Sequence, residues 1–352
     1  MFQKKLSADD LYMKGLNLLL DGNREEAFKY LTQCAQEDSE NADAFFHAGN
    51  ILRDQGRFER AERIHSELLM RPELAPEIRK KVKLALIRDY IAQKKFVKAE
   101  VLLQEAMKTS KSLWLLEELL KIHENTKEWE KAIEIKAEID KWKGAPDNPL
   151  MALYYLESAR TLMASDGHAA RLLFKEAIKR NPGMPWPYIL IADTYFKENR
   201  AEDALDFWAK LFDEQASKAY LIFDKIEKYF YESGAYGEVG RIYRELTERE
   251  PENIDALLAL SGYLFKRGDR EEALSYCRKA LEINPNSREA YAELLSQTMD
   301  RSGCDEEIKA LVHEMLKMFP ARKRFKCRVC MHRTEIPHWR CNACGAWNPY
   351  EV

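Results

Sequence analysis

The feature that most constrains this chain is a period. Small residues recur at Ala27, Ala61, Ala99, Ala132, Ala170, Ala204, Val239, Ala273 and Ile308, in steps close to 34 residues with two steps of 38. Twelve residues before each stands a matching position: Gly15, Gly49, Ile87, Leu120, Ser158, Ala192, Glu227, Ser261 and Ser296. Four residues after each comes a larger side chain, such as Leu31, Phe174, Trp208 or Tyr243, and Pro182, Pro251, Pro285 and Pro320 close several units. Small residues let two helices approach, larger ones fill the groove to the next unit, and a proline after the second helix stops it without breaking a needed hydrogen bond. One such unit cannot bury its apolar face alone, so the units must stack.

This is the tetratricopeptide pattern of a helix–turn–helix unit. It predicts an all-α, right-handed superhelical solenoid of about nine repeats over residues 8–320, after a lead-in at 1–7, with any strands confined to the C-terminal tail. Repeats three, four and nine are degenerate and rest on spacing. The two longer steps fall at Arg71–Pro76 and at 143–149, the stretch richest in helix breakers, where a plain long loop or a hinge between blocks of four and five repeats is expected. The composition agrees: 14 Gly and 12 Pro in 352 residues are few, and a third of the chain is charged, as suits exposed helices. No run of 18 apolar residues occurs, which predicts a soluble chain.

Residues 321–352 are a different object. Cys327-Arg-Val-Cys330 and Cys341-Asn-Ala-Cys344 are two C-x2-C pairs separated by ten residues, and they hold four of the chain's seven cysteines. Four thiolates complete a closed tetrahedral shell, so Cys327, Cys330, Cys341 and Cys344 are the candidate ligands of one zinc or iron ion in a small rubredoxin-like or zinc-ribbon module. The alternative is two labile disulfides, or a thiol–disulfide enzyme using the C-x-x-C pairs. His332 and His338 lie between the pairs and are read as neighbours of the site. Cys34, Cys277 and Cys304 are scattered, as core thiols in a reducing compartment would be.

So small a module lacks a core of its own, which predicts docking on the solenoid through Trp339 and Trp347, with the last repeats around Leu311, Met315, Met318 and Phe319 as the receiving surface. The tail is basic: seven Lys/Arg against two Asp/Glu give +5, leaving −8 on residues 1–320. That run raises a nucleic-acid reading. It has only Phe325 interleaved as a stacking group, and the same charges suit an acidic protein face or anionic lipid headgroups. No catalytic motif stands out along the repeats, and His47, His65 and His123 are read as helix-packing residues.

Several stretches resemble the lipopolysaccharide assembly protein B (LapB/YciM) family. They are His47-Ala48-Gly49-Asn50 with Arg53, Gly56, Arg60-Ala61 and Ile64-His65; Arg88-Asp89-Tyr90 with Ala99-Glu100; Glu128-Trp129 with Lys131-Ala132-Ile133; and Phe325-Lys326-Cys327 with Cys330, Trp339, Cys341, Cys344 and Ala346-Trp347. The resemblance implies tetratricopeptide repeats joined to a rubredoxin-like metal module in a non-catalytic adaptor. By that resemblance its partners are proteins, the FtsH protease and the deacetylase that commits precursor to lipid A, with no nucleic acid, at the cytoplasmic face of the inner membrane. Family members typically begin with a transmembrane helix that this sequence does not show, so membrane contact is expected only through a missing anchor or through partners. Met331 stands where a rubredoxin-type knuckle usually has Gly and Asn342 where it often has Pro, which predicts looser loops around intact sulfurs.

Overall fold

The structure, a computed structural model, describes residues 6–301, 325–348 and 350–351. It divides into two compact units, Met1–Pro146 and Asp147–Val352. In the first, antiparallel pairs follow one another: α1 (Ala8–Leu20) with α2 (Arg24–Glu37), α3 (Ala42–Asp54) with α4 (Phe58–Leu69), α5 (Pro76–Ala92) with α6 (Phe96–Thr109), and α7 (Leu113–Thr126) with α8 (Trp129–Lys143). In the second, α9 (Asn148–Leu162) pairs with α10 (Gly167–Arg180) and α11 (Pro185–Lys197) with α12 (Ala201–Gln215). A 3-10 segment, Ala216–Ile222, leads into α13 (Phe223–Glu232), which packs on α14 (Gly237–Arg249). Then α15 (Ile254–Arg267) pairs with α16 (Arg270–Ile283), and α17 (Arg288–Arg301) packs on both.

The period translates directly into packing. Ala27, Ala61, Ala99, Ala132, Ala170, Ala204, Val239 and Ala273 are all at 0% exposure, because a larger side chain there would push the paired helices apart. Ile308, and the proposed docking residues Leu311, Met315, Met318 and Phe319, lie outside the described residues. At Gly49 the approach leaves no room for a side chain: a Cβ there would sit 2.5 Å from His65 Nε2.

Two first-helix positions differ from the spacing. Ile226 is fully buried, whereas Glu227 is half-buried and accepts from the Tyr243 hydroxyl at 3.2 Å. The 3-10 segment before α13 explains this, since its longer rise and tighter turn shift the register of that helix. In α17 it is Gln297 that is buried, donating to Ser261 Oγ at 2.9 Å, while Ser296 is half-buried. The long connection at Arg71–Pro76 is an ordered turn: the Arg79 guanidinium donates to the carbonyls of Leu69 and Arg71 at 2.9 and 2.7 Å, and Leu74 is buried. Among the described residues the strands are confined to the tail. β1 (Phe325–Cys327) lies between β2 (Arg333–Thr334) and β3 (Tyr350–Glu351), antiparallel to both.

In the first unit, the two fully buried polar side chains pair with each other. His65 and Asp89, both at 0% exposure, meet Nδ1 to Oδ2 at 2.5 Å. The other nitrogen of His65 lies 3.3 Å from the Phe46 carbonyl. Arg53 donates to the second Asp89 oxygen at 3.2 Å and to Asn50 Oδ1 at 2.8 Å. A charge removed from water needs such partners, which explains why these residue types stand together beside Gly49.

Candidate metal centre

Each cysteine pair is held by the same backbone device. The amide of Met331 donates to the carbonyl of Cys327 at 2.9 Å, and that of Gly345 to the carbonyl of Cys341 at 2.9 Å. Cys327 N–H returns to His332 O and Cys341 N–H to Ala346 O, both at 2.8 Å. The residue that turns each corner has positive φ, +62° at Met331 and +73° at Gly345. The substitution of Met for Gly therefore leaves the first knuckle as tight as the second, and the expected loosening is not seen.

This geometry brings all four predicted ligands together. Their sulfurs lie within 4.8 Å of one another, with Cys327–Cys344 at 3.7 Å and Cys330–Cys341 at 3.6 Å. Four sulfurs at about 2.3 Å from a common ion would be spaced about 3.8 Å apart, close to what is found. Sulfur pairs at 3.7 and 3.6 Å run between the two knuckles, and all four thiols are free. Cys327 and Cys341 are buried, Cys330 and Cys344 exposed. Burial pushes the Cys341 thiol up, but backbone N–H groups of Cys344 and Ala343, with the Tyr350 hydroxyl, outweigh it and bring the thiol down to about 6. Cys330 accepts from the His332 amide, yet burial and its three sulfur neighbours push it up to about 12. One thiol ionises early and another late, as expected of four acids sharing a site suited to a cation. The Tyr350 hydroxyl is buried without a hydrogen bond of good geometry among the described residues; its burial, with the Cys341 sulfur next, pushes it up to about 12.

Neither histidine joins the sulfurs. His332 is exposed, and His338 stacks on Trp186 with ring centres 6.2 Å apart. Glu100, His123 and Glu128 also present ligand atoms within 4.8 Å of one another, but Lys131 Nζ already sits 2.9 Å from Glu128 and 3.7 Å from Glu100. His123, 2% exposed and 3.0 Å from Glu128, is the packing residue its position suggests.

The module docks on the repeats through both predicted tryptophans, while the expected receiving residues Leu311, Met315, Met318 and Phe319 lie outside the described residues. Trp339, 6% exposed, donates its indole N–H to Glu157 on α9 at 2.7 Å. Arg160 lies over the same ring at 4.7 Å and pairs with Glu157 at 3.1 Å. Trp186 of α11 meets Trp339 edge to face at 5.4 Å, Trp347 meets Tyr154 at 5.7 Å, and Phe325 stacks on Tyr220 at 6.4 Å. Among the described residues the receiving surface is thus formed by α9, α11 and the 3-10 segment. Tyr154, Glu157 and Trp186 were missed by sequence reasoning; the one available signal was the carboxylate of Glu157 beside Ser158, a position the period marks as buried.

The tetratricopeptide repeat family pattern matches residues 18–83 and 230–298. Lipopolysaccharide assembly protein B of Escherichia coli strain K12 is 24% identical over 349 residues, covering 98% of this chain and 89% of that protein. The protein of the same name from Haemophilus influenzae is 23% identical, covering 97% and 89%. Among solved structures, a tetratricopeptide repeat protein from Parabacteroides merdae is 14% identical and covers 83% of this chain and 98% of that one, with a TM-score of 0.37. Repeats, cysteine cluster and near full-length likeness converge: the chain is a helical-repeat solenoid of the tetratricopeptide type with a four-cysteine tail, and it resembles lipopolysaccharide assembly protein B along 98% of its length.

Proposed function

We propose that the chain is a non-catalytic adaptor whose Cys327, Cys330, Cys341 and Cys344 hold one zinc or iron ion. Four thiolates around one ion leave no open coordination position, so the ion's chemistry there is structural: it fixes the two knuckles against each other. In this reading Trp339 and Trp347 carry that rigidity into α9 and α11, and the repeats present a surface to protein partners. By likeness to lipopolysaccharide assembly protein B, those partners are the FtsH protease and the deacetylase that commits precursor to lipid A, and the adaptor works at the cytoplasmic face of the inner membrane by promoting the deacetylase's degradation.

The observation that supports this reading best is the indole N–H of Trp339 seated on Glu157, which ties the four-cysteine module to the repeats. A thiol–disulfide enzyme fits less well, because all four sulfurs converge on one point, where a single C-x-x-C pair would suffice for that chemistry. Two measurements test the proposal. Elemental analysis of protein purified without chelator should find one zinc or iron per chain and none in Cys341→Ser. In cells, Cys341→Ser should lengthen the deacetylase half-life while the helical circular-dichroism signal is largely kept. An unchanged half-life in the metal-free variant would make the module a dispensable cap.

A further inference from the structure

The two knuckles are alike in their backbone hydrogen bonds, yet they end differently. The second turns its corner with Gly345, the residue for which positive φ carries no side-chain clash. The first places Met331 in the same left-handed conformation, which L side chains rarely adopt, and exposes it by 57%. Two residues earlier Val329 is 69% exposed. The docked face of the module uses Phe325, Trp339 and Trp347, so these two apolar side chains remain in water after docking. Strain kept in order to hold an apolar side chain in solvent is a mark of function and not of folding.

We propose that the tip of the first knuckle, Val329 and Met331, is a lipid-contact point that dips into the headgroup region of an anionic membrane. Charge selects this occupant. Arg328 and Arg333 bracket the tip, both exposed, with Glu335 the exposed acid in the following turn. Among the described residues of the module, Lys326, Arg328, Arg333 and Arg340 stand against Glu335 and Glu351, a basic balance that suits a negative surface. Size selects it as well. A stable protein–protein interface takes about 800 Å² from each partner, far beyond two side chains. Shallow insertion of a few apolar groups beside basic ones is how peripheral proteins combine two weak attractions into one useful one. This goes beyond the adaptor reading and stands without it, since it concerns where the module sits and not what the repeats hold.

The test is co-sedimentation of the full chain with phosphatidylglycerol vesicles and, in parallel, phosphatidylcholine vesicles. The wild type should partition onto the first, should do so less at high salt, and should ignore the second. Met331→Gly combined with Val329→Ser should lower partitioning at least about tenfold, since full burial of two such groups would be worth more than about a hundredfold and shallow insertion realises part of it. Met331→Gly also relieves the backbone, so the metal content and melting temperature of the double variant should be equal to or above those of the wild type. The proposal fails if the wild type stays in the supernatant with phosphatidylglycerol, or if the double variant binds as well as the wild type. Loss of an acidic protein partner by the double variant, with the wild type indifferent to vesicles, would reassign the tip to a protein and likewise overturn it.

Discussion

Trp339→Phe isolates the contact between the module and the repeats. Phenylalanine keeps most of the ring that packs on Trp186 and lies under Arg160, but it removes the N–H that Glu157 accepts at 2.7 Å. Glu157 has a side chain 10% exposed, and its second oxygen is already engaged by Arg160. A hydrogen bond to a charged, largely buried group contributes about 1.5–3 kcal/mol. Trp339→Phe should therefore destabilise the second unit by about 2–3 kcal/mol, and Glu157→Ala by a similar amount because it strands the indole N–H. The double variant should cost about 2 kcal/mol less than the two singles added, since each removes the same bond. Urea unfolding followed by circular dichroism supplies all four corners of the cycle. Costs that simply add, within about 0.5 kcal/mol, would refute the idea that this bond fastens the module.

Gly49→Ala should destabilise the first unit by about 1–3 kcal/mol in thermal melts, because His65 is pinned by Asp89 and Phe46 and cannot retreat from a Cβ at 2.5 Å. Asp89→Ala should cost more, about 3–5 kcal/mol in the same assay, since it leaves Arg53 and buried His65 without their common partner. Hydrogen bonds from Lys131 first, and from His123, hold Glu128 down at about 2, below the 4.5 of a free carboxyl. A depressed carboxyl stabilises the fold above its unfolded pKa and loses that contribution as pH falls from about 4.5 through about 2. Because the side chain is 38% exposed, the effect should reach only about 1 kcal/mol after solvent screening, so Glu128→Gln should be slightly weaker than wild type at neutral pH and equal to it near pH 2.

The repeating features were legible in the sequence. A small residue every 34 or so positions has one physical use, and Ala27 through Ala273 all proved fully buried. The sulfurs were legible because two C-x2-C turns leave little freedom in where the thiols point. The misses share a cause of a different kind. Glu157 looks like any helical glutamate until the tail is folded against it, because its partner Trp339 is 182 residues away and no local pattern records the pairing. Residues 216–222 contain good helix formers, yet they wind as a 3-10 segment, with Ala219 and Ile222 buried and Tyr220 stacked under Phe325. Tertiary contact there overrides propensity. Met331 was read from the family pattern as a defect, whereas its knuckle keeps the 2.9 Å bond that Gly345 makes in the other.

The span between Glu157 and Trp339 also sets an order of events. Closing a flexible loop of 182 residues would cost roughly 5 kcal/mol of chain entropy, more than one buried hydrogen bond returns. Stacking of the intervening helix pairs removes most of that cost, since each pair needs only its neighbours to form. During synthesis the repeats leave the ribosome before the module, which follows them in the sequence. Docking of the module therefore follows folding of the repeats that receive it, and an occupied Glu157 marks a chain synthesised past Trp339.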